Sequence, residues 1–532
     1  MNSNEVRTVW GLLERAVAAT PDKPAVLSPD GTTSYSELRE RALRLGGGLR
    51  AAGLDAGAPV VVMLDNHVDH IATAFGLAAV GLVDVPLNTA LKGGMLEYQI
   101  AHSEATVVVC DTQYVERIAA VLSNCPRVAQ VVVRGQADGT VLPDGVARSA
   151  FADLLKASPA VPVAAEAWDL AAIMYTSGTT GPSKGVLCPN GQAVAYGDPG
   201  WWGGCGPDDV HLVTLPLFHL GGMWMGVFNA VSAGATIALP EKFSASVFWQ
   251  EVREYGATYA VLVGAITNIL MRQPSRPDDA DNTLARAFVV PVVDGAREFE
   301  QRFGCLVGTG FGQTEATGAL GAKFGEGKPK SCGWARPGIE ARIVDDRDRE
   351  VADGTAGELV LRADEPWMLS LGYHGMPEAT VSLYRNQWLH TGDTMYRSAD
   401  GEFFFVDRKS DAIRRRGENV SSFEVEAEVN RHPAVLESAA VGVVSELSEE
   451  DIKIVVVLQP GKTLQPDDLI RYLADRLPYY MVPRYVTFID ALPRSATDKI
   501  QKAELRASAA TAAWDAVAHG LHVGRSGIRE GD

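Results

Sequence analysis

Hydrophobic residues in the first 150 positions follow two patterns in alternation, one helical and one strand-like. Between a capping pair at Ser34 and Glu37 and the helix-stopping Gly53, apolar residues recur at helical spacing. The next segment, 59–64, is continuously apolar, as in strands that are buried on both faces. The alternation continues with a helix near 69–80, a strand near 106–110, a helix from Tyr114 and a strand near 131–133. This order predicts parallel sheets flanked by helices.

The pattern changes twice further along the chain. Residues 205–310 repeat the alternation, with a helix at 249–255 and strands at 258–263 and 288–293. Residues 330–406 hold short β-like runs separated by Gly, Asp and Pro, which predict a small β-barrel. From about 410, a compact α+β domain is predicted, with a helix at 422–431, strands at 438–444 and 453–458, a helix at 467–477 and a strand at 485–488. We therefore predict an α/β protein with a large N-terminal domain of two parallel-type, helix-flanked sheets plus the barrel, and a smaller α+β C-terminal domain.

Charge and composition exclude some functional classes. The 532 residues are 46% hydrophobic and 21% charged, as in globular proteins with large cores. With 48 basic and 66 acidic residues the net charge is −18, which argues against a general nucleic-acid binder. A polyanionic ligand would therefore have to meet locally placed cations.

Cysteine usage and the N-terminus predict a cytoplasmic protein. The six cysteines form no CxxC pair, so we expect free thiols, no disulfides and no zinc. The first residues lack the basic start and apolar core of a signal peptide. Residues 212–240 carry no charged side chain, but they include Pro216, His219 and several glycines, which favours a buried pocket wall over a membrane span.

The segment 173–186, IMYTSGTTGPSKGV, is the most informative stretch for function. An apolar strand leads into a loop of glycines and hydroxyl residues that ends in a single lysine. Glycines let backbone N–H groups converge on an anion, and the lysine adds positive charge, so the loop suits the phosphates of ATP. Because Gly185 follows Lys184, the spacing differs from that of a P-loop. The alternative interpretation of this segment is an ordinary surface loop. The candidate phosphate-binding residues are Thr176, Ser177, Gly178, Thr179, Thr180, Gly181 and Lys184.

This loop resembles the signature loop of the adenylate-forming superfamily, which comprises acyl-CoA synthetases, adenylation domains of peptide synthetases and luciferases. Three further segments resemble the motifs of that superfamily and occur in its order: GFGQTEAT at 310–317, WLHTGD at 388–393 and PRSATDKIQKAELR at 493–506. The stretch GYHGMPEAT at 372–380 also agrees. Among the branches of the superfamily, the segment RRRGENVSSFEVE looks most like the carnitine-CoA ligases and the general acyl-CoA ligases.

The resemblance implies roles for individual residues. Phe311 would stack on adenine, and Gly312, Gln313 and Thr314 would contact the nucleotide, with Thr314 at the AMP phosphate. Glu315, together with Thr176, would hold Mg²⁺, since a hard cation prefers oxygen ligands. Asp393 and Arg408 would bind the ribose. The implied catalytic residues are Lys499, His219 and Glu315.

The same resemblance implies a domain organisation. Residues 1–408 would form the N-terminal AMP-binding domain, 409–410 the hinge of a mobile C-terminal domain, 411–519 that domain and 520–532 a loose tail. The domain would rotate to bring first Lys499 and then the loop around Arg416 and Gly417 to the site. Ser410, in place of the usual Asp or Lys, leaves the pivot residue open. Asp498, in place of the usual Gly, leaves the reach of Lys499 open.

The basic triplet 414–416 has two interpretations. It would attract coenzyme A phosphates, or it is an ordinary solvated face. Gly417 would let the pantetheine arm of coenzyme A pass close to the backbone.

The acyl pocket is also placed by resemblance. His219 matches a position that gates the acyl tunnel, with a structural histidine as the alternative. Apolar and small residues nearby would leave room for a sizeable acid, and we assign Met223, Gly264, Gly308 and Ala319 to the pocket. The adenine-side loop at 288–291 departs from the usual sequence, which leaves its contacts open.

The implied activity is ATP-dependent carboxylic acid–CoA ligation of a small or medium hydrophobic acid, through an acyl-AMP. The substrates and cofactors are then ATP, Mg²⁺, coenzyme A and the acid. The alternatives are adenylation with a carrier protein, another nucleophile or a non-carboxylate oxyanion, and a luciferase-like oxygenase. The sequence leaves the oligomeric state open, with a homodimer among the alternatives.

Overall fold

The computed structural model describes residues 6–136, 139–176, 182–198, 200–201, 204–290, 295–326, 328, 330–408, 412–445, 449–493, 500–507, 513–525 and 527–530. Three predicted features lie outside these residues: the loop residues Ser177, Gly178, Thr179, Thr180 and Gly181, the hinge 409–410, and Lys499 together with Asp498. The roles assigned to them remain predictions.

Helices and strands largely alternate through about the first 150 residues, as the hydrophobic pattern predicts, and two strands and a helix follow. They are α1 Val9–Ala19, β1 Pro24–Ser28, β2 Gly31–Ser34, α2 Tyr35–Ala51, β3 Pro59–Met63, α3 Val68–Ala79, β4 Val83–Pro86, α4 Gly93–His102, β5 Val107–Asp111, a 3-10 turn Thr112–Tyr114, α5 Val115–Leu122, β6 Gln130–Arg134, β7 Ala147–Ala150, α6 Phe151–Leu154, β8 Leu170–Thr176, β9 Lys184–Pro189 and α7 Asn190–Gly197. Seven of these strands form one sheet in the order β7-β6-β5-β3-β4-β8-β9. From β7 to β8 the neighbouring strands run parallel.

The capping pair predicted for α2 is present. The hydroxyl of Ser34 accepts a hydrogen bond from the amide of Glu37, and the Glu37 carboxylate accepts one from the Ser34 amide. The two bonds satisfy donors that the first helical turn would otherwise leave unpaired.

The central part of the chain builds a second, larger sheet. Its elements are β10 Val210–Leu212, α8 Leu220–Gly222, the π-helical turn Met223–Phe228, α9 Asn229–Ala233, β11 Thr236–Ala238, α10 Phe248–Tyr255, β12 Tyr259–Val263, α11 Gly264–Met271, β13 Arg286–Val290, α12 Ala296–Phe303, β14 Leu306–Gly312, β15 Gly318–Ala322, β16 Ser331–Ala335, β17 Ile339–Val344, β18 Gly357–Ala363, α13 Pro377–Leu383, a 3-10 turn Arg385–Gln387, β19 Leu389–Arg397 and β20 Phe403–Arg408. Within the described chain the strand order is β17-β18-β19-β20-β16-β15-β14-β13-β12-β10-β11-β1-β2.

The predicted barrel-like region continues this sheet. Strand β14 pairs in parallel with β13 on one side and antiparallel with β15 on the other. The antiparallel strands from β15 to β20 pack around their own hydrophobic cluster, which includes Leu320, Leu359 and Leu361. Strand β14 therefore lies where parallel pairing gives way to antiparallel pairing.

The charge-free stretch 212–240 lies inside the protein. Its helical part packs into the main hydrophobic cluster through Trp224, Val227 and Phe228. The predicted burial is therefore confirmed for this part of the stretch, and its role as a pocket wall remains a prediction. In the part of the chain that the structure describes, we find no helix with the length and apolarity needed to cross a membrane.

The C-terminal region folds as an α+β domain. Its elements are β21 Ala412–Arg415, β22 Glu418–Ser421, α14 Ser422–Asn430, β23 Val435–Val444, β24 Glu450–Leu458, α15 Pro466–Ala474, β25 Tyr485–Phe488, α16 Lys502–Ala507, β26 Trp514–Asp515, β27 Leu521–Gly524 and β28 Gly527–Glu530. Strands β23, β24, β25 and β26 form a sheet in that order, and α14 and α15 contribute to its hydrophobic core.

The prediction of a loose tail at 520–532 is wrong for its described residues. Strands β27 and β28 pair as an antiparallel hairpin, and Val523 and Ile528 pack against the C-terminal core. Arg471 and Glu530 form an ion pair of 2.6 Å. Each strand has only four residues, so its hydrophobic pattern is too short to indicate a strand in the sequence. Gly527, the first residue of β28, has a positive φ of 97°.

The chain divides into two compact units. The first contains residues 1–89, 100–175 and 185–407, and the second contains 90–99, 176–184 and 408–532. The second unit thus includes two short segments that we had assigned to the N-terminal domain, one of which is the glycine-rich loop.

Candidate active site

Strand β14 carries the second predicted motif to its end. Gly310 and Gly312 are required by packing, since a Cβ on Gly310 would lie 2.6 Å from the carbonyl oxygen of Leu320. A Cβ on Gly312 would lie 2.3 Å from the hydroxyl oxygen of Tyr196. Phe311 packs at the edge of the cluster that the antiparallel strands enclose. The two glycines therefore let the strand pass close to its neighbours before the chain turns at Gln313.

Gln313 joins the second motif to the third. Its Nε2 atom donates to Oδ2 of Asp393 at 2.5 Å and to the carbonyl oxygen of Thr391 at 2.9 Å. Asp393 lies in β19 and is only 2% exposed. A buried carboxylate needs hydrogen-bond partners, and Gln313 supplies one.

A buried glutamine holds the turn that follows β14. Nε2 of Gln192, in α7, donates to the carbonyl oxygens of Thr314 at 2.9 Å and Ala316 at 2.5 Å. These two hydrogen bonds hold the backbone on either side of Glu315. Sequence analysis missed Gln192, because a single glutamine in a helix carries no pattern that connects it with a turn 122 residues away.

The side chain of Glu315 has a specific partner. The hydroxyl of Tyr373 donates to Oε1 of Glu315 at 2.9 Å, and the amide of Ser370 donates to the Glu315 carbonyl oxygen at 3.0 Å. Burial, together with the charge of Glu315, raises the pKa of Tyr373 well above that of a free phenol. Tyr373 therefore remains a hydrogen-bond donor at neutral pH. Tyr373 lies in the 372–380 stretch, but sequence reasoning assigned it no role.

The strand after the glycine-rich loop begins at Lys184. The preceding residue, Ser183, belongs with Glu424 to the second unit. The Glu424 carboxylate accepts a 3.1 Å hydrogen bond from the Ser183 amide and another from the Ser183 hydroxyl. Burial raises the pKa of Glu424 to about 7, although the two bonds from Ser183 act in the opposite direction. Glu424 is a second contact that sequence reasoning missed.

The predicted coenzyme A loop is the turn between β21 and β22. Arg416 and Gly417 both have positive φ, 54° and 81°, and the Gly417 amide donates to the Glu449 carboxylate at 3.0 Å. Arg416 is exposed, and its guanidinium lies 5.5 Å from the ring centre of Tyr479. The turn therefore presents one arginine at the surface.

The basic triplet does not act as a unit. Arg415 is buried and paired with Asp451 at 3.0 Å, and burial lowers its pKa to about 10. Arg414 is half-buried and bonds Asn419 at 3.0 Å. Arg415 is therefore a structural residue of the C-terminal core. Neither interpretation of the triplet, as a binding site for coenzyme A phosphates or as a solvated face, included a buried arginine.

The predicted acyl-pocket residues lie on several elements of the first unit. His219 is half-buried just before α8, Met223 is buried in the π-helical turn, and Gly264 begins α11. Ala319 is fully buried in the cluster of the antiparallel strands.

The space that Gly308 leaves is already filled. A Cβ on this residue would lie 3.0 Å from the ring of Phe324. The absence of a side chain at Gly308 therefore accommodates an aromatic residue of the protein itself.

Two remaining predictions concern Arg408 and the cysteines. Arg408 is the last residue of β20. The ribose-binding role assigned to it remains a prediction. All six cysteines are buried and none forms a disulfide.

Two family profiles match the chain. That of the AMP-binding enzymes covers residues 13–374, and that of the AMP-binding enzyme C-terminal domain covers residues 424–499. The first profile covers the glycine-rich loop and the motif at 310–317, and the second covers most of the C-terminal domain.

Curated relatives align over nearly the whole chain. A crotonobetaine/carnitine–CoA ligase of Citrobacter koseri is 31% identical over 487 residues, which are 89% of this chain and 93% of that protein. A protein of the same name from Salmonella typhimurium is 32% identical, with the same coverage of 89% and 93%.

Solved structures share the architecture. MatB from Rhodopseudomonas palustris is 29% identical with a TM-score of 0.67, covering 94% of this chain and 98% of its own. A benzoate CoA ligase from Burkholderia xenovorans is 25% identical with a TM-score of 0.67, covering 94% and 100%. An o-succinylbenzoate CoA synthetase from Bacillus subtilis has a TM-score of 0.81 over 96% and 99% of the chains, and at 23% identity it shows the shared fold alone.

Proposed function

Because this chain belongs to the AMP-binding enzyme family, and to its acyl-CoA ligase branch, we propose that it activates a small or medium hydrophobic carboxylic acid. It is an AMP-forming acid–thiol ligase that uses ATP and coenzyme A. In the first half-reaction the carboxylate attacks the α-phosphate of ATP and pyrophosphate leaves. In the second, the thiol of coenzyme A attacks the acyl carbonyl and AMP leaves, so no covalent enzyme intermediate is needed.

The observation that carries the proposal is the hydrogen bond from Gln313 to Asp393. It joins the segment assigned to adenine and phosphate with the aspartate assigned to the ribose. Two segments 80 residues apart in sequence thus meet as a nucleotide-binding surface requires. Phe311 would stack on the base, Thr314 would donate to the α-phosphate, and Asp393 and Arg408 would accept and donate hydrogen bonds at the ribose.

The residues around Glu315 fit a magnesium ion. A carboxylate and a hydroxyl are hard oxygen ligands, and Glu315 and Thr176 are the two residues we assign to the metal. The Glu315 carboxylate is oriented by the neutral hydroxyl of Tyr373, which leaves its charge in place. When bound, Mg²⁺ neutralises charge on the phosphates of ATP.

Charge compensation during adenylation falls to two lysines. The glycine-rich loop, from Thr176 to Lys184, would cradle the β- and γ-phosphates, and Lys184 would supply positive charge there. Lys499 would neutralise charge that develops between the acid and the α-phosphate. Rotation about residues 409–410 would then exchange Lys499 for the turn at Arg416 and Gly417 at the site.

The acid would lie against His219, Met223 and Gly264, with Gly308 and Ala319 behind them. Because the ring of Phe324 occupies the space beside Gly308, we favour a compact acid over a long-chain one. We further propose a cytoplasmic enzyme, and a homodimer remains an alternative to a monomer.

The test is ATP–pyrophosphate exchange with a panel of aromatic, alicyclic and fatty acids, followed by assays of AMP release with and without coenzyme A. We expect exchange with at least one compact acid and thioester formation with coenzyme A. Adenylate that forms but is not consumed by coenzyme A would point to a carrier protein or another acceptor. Oxygen uptake with an adenylated substrate would point to an oxygenase.

A matched pair of variants tests the glycine-rich loop. Lys184→Ala should lower exchange by roughly a hundredfold, the effect of removing one electrostatic contact to the reacting phosphates. Lys156→Ala removes an exposed lysine that pairs with Asp153 and should leave exchange unchanged. Equal rates for Lys184→Ala and the unmodified protein would contradict the phosphate-binding role.

A further inference from the structure

Residues 370–374, which we call the bracket segment, bind two parts of the active site at once. The amide of Ser370 donates to the carbonyl oxygen of Glu315 at 3.0 Å. At its other end, the amide of His374 donates to the carbonyl oxygen of Gly185 at 2.8 Å, in strand β9. The bracket segment therefore fixes the turn that carries Glu315 relative to the strand that leaves the glycine-rich loop.

Tyr373 is the residue of the bracket segment whose side chain reaches Glu315. Its hydroxyl lies 2.9 Å from Oε1 of Glu315, and its amide donates to Oγ1 of Thr380 at 2.9 Å. The backbone of Tyr373 also bridges to Val186 in β9. Since the backbone is held on two sides, the phenol approaches Glu315 in a fixed position.

Tyr373 presents a neutral hydroxyl to the carboxylate of Glu315. A neutral hydrogen-bond donor orients a carboxylate without cancelling its charge, whereas an arginine or lysine would do both. The Tyr373 hydroxyl thus orients the Glu315 carboxylate without placing a positive charge beside it, which suits a ligand of a cation.

We propose that Tyr373 is a positioning residue for the divalent cation of the adenylation step, because its hydroxyl orients the carboxylate of Glu315 toward the metal. This inference rests on the proposed function, in which Glu315 holds Mg²⁺. Hydrogen-bond partners of metal-ligating carboxylates set metal affinity, and their loss lowers it by about 10- to 100-fold.

The variant pair Tyr373→Phe and Tyr384→Phe separates this role from packing. Both remove the hydroxyl of a half-buried tyrosine near Glu315, but the Tyr384 hydroxyl donates to the carbonyl oxygen of Ser370 at 2.5 Å. With the acid found in the exchange screen, the Mg²⁺ concentration for half-maximal exchange should rise roughly tenfold in Tyr373→Phe. At saturating Mg²⁺ the rate should stay within about threefold of that of the unmodified protein. Tyr384→Phe should keep the original Mg²⁺ dependence.

A second readout does not depend on activity. Mn²⁺ is titrated into the protein with a non-hydrolysable ATP analogue, and binding is followed by electron paramagnetic resonance. Tyr373→Phe should weaken Mn²⁺ binding by roughly tenfold. In a Glu315→Gln background, Tyr373→Phe should cause no further loss, because the carboxylate it orients is gone.

Three results would overturn the inference: unchanged metal dependence in Tyr373→Phe, an equal shift in Tyr384→Phe, or a further loss in the Glu315→Gln background. Failure of the proposed function looks different, because the unmodified protein would then show no exchange with any acid. In that case the Mn²⁺ titration still decides whether Tyr373 positions a metal-binding carboxylate.

Discussion

Gln313 and Asp393 are 80 residues apart in the chain, and a hydrogen bond of 2.5 Å from the Gln313 amide to the Asp393 carboxylate joins them. Asp393 is buried, so its orientation depends on partners from the protein. Gln313 also donates to the carbonyl oxygen of Thr391, which ties its side chain to the turn before Asp393. The glutamine thus determines how the proposed ribose-binding carboxylate is presented.

Replacing Gln313 by Leu should weaken ATP binding. The substitution removes one donor to Asp393, and a hydrogen bond to a charged group contributes about 1.5–3 kcal/mol. We expect the KM for ATP to rise by at least about tenfold, with a smaller change in kcat, in steady-state exchange assays. Gln250→Leu is the matched control, since exposed Gln250 bonds the Glu254 carboxylate at 2.7 Å. Similar KM values for both variants would contradict this role of Gln313.

Gly372→Ala should destabilise the first unit. Gly372 has a φ of +103°, and a Cβ there would lie 2.2 Å from Cγ2 of Thr380. Backbone strain and overpacking each cost about 1–3 kcal/mol. Gly354→Ala is the control, because Gly354 has a φ of +80° but no atom within 4 Å of the added Cβ. We expect a clearly lower thermal midpoint for Gly372→Ala than for Gly354→Ala, and equal midpoints would argue against the tight packing.

Stability should depend on pH through Glu424. Burial raises its pKa to about 7 in the folded protein, so folding binds a proton between the ordinary glutamate pKa and about 7. Stability from this group is therefore present at low pH and is lost as the pH rises through that window. The Ser183 amide donates to Glu424, and the charge of Glu424 contributes to the raised pKa of Tyr98. Lys502 forms an ion pair with Glu426 on the same helix.

Glu424→Gln should remove this dependence. The unfolding free energy of the variant relative to the unmodified protein should rise between about pH 4.5 and pH 7 by up to about 3 kcal/mol. Denaturant titrations at several pH values measure the difference. Glu504→Gln, at an exposed position of α16, should show no such trend. A pH-independent difference for Glu424→Gln would contradict the raised pKa.

Lys499→Ala should separate the two half-reactions. If Lys499 compensates charge only during adenylation, exchange should fall by roughly a hundredfold or more. Transfer from supplied acyl-AMP to coenzyme A should change by less than about threefold. Lys462→Ala, on an exposed turn, serves as the control. Equal losses in both half-reactions would show that Lys499 acts in another way.

Local patterns predicted the individual elements well. The strand expected at 485–488 is found as Tyr485–Phe488, and the capping pair at Ser34 and Glu37 starts α2 where expected. Both rest on hydrophobic spacing or cap chemistry within a few residues, which the sequence shows directly. Resemblance then supplied the segments of the site, and the structure brings Gln313 and Asp393 together.

Contacts between distant segments could not be predicted in this way. Gln192 binds a turn 122 residues away, and Glu424 binds Ser183 across 241 residues. Neither residue belongs to a local pattern, because its role depends on how separate elements pack. The hairpin after Gly520 was missed for a related reason. Its two strands have four residues each, and such short strands are stable only when they pack against a core, as Val523 and Ile528 do here.

The burial of all six cysteines makes the protein suited to fluorescent labelling. Burial raises the pKa of Cys305 and Cys332 to about 12, so these thiols react slowly with maleimides at neutral pH. In a Lys156→Cys, Lys462→Cys variant, maleimide dyes would react mainly with the two introduced cysteines, which lie at exposed positions of the two units. Single-molecule energy transfer between them would test whether the C-terminal domain rotates during turnover, without first removing any native thiol.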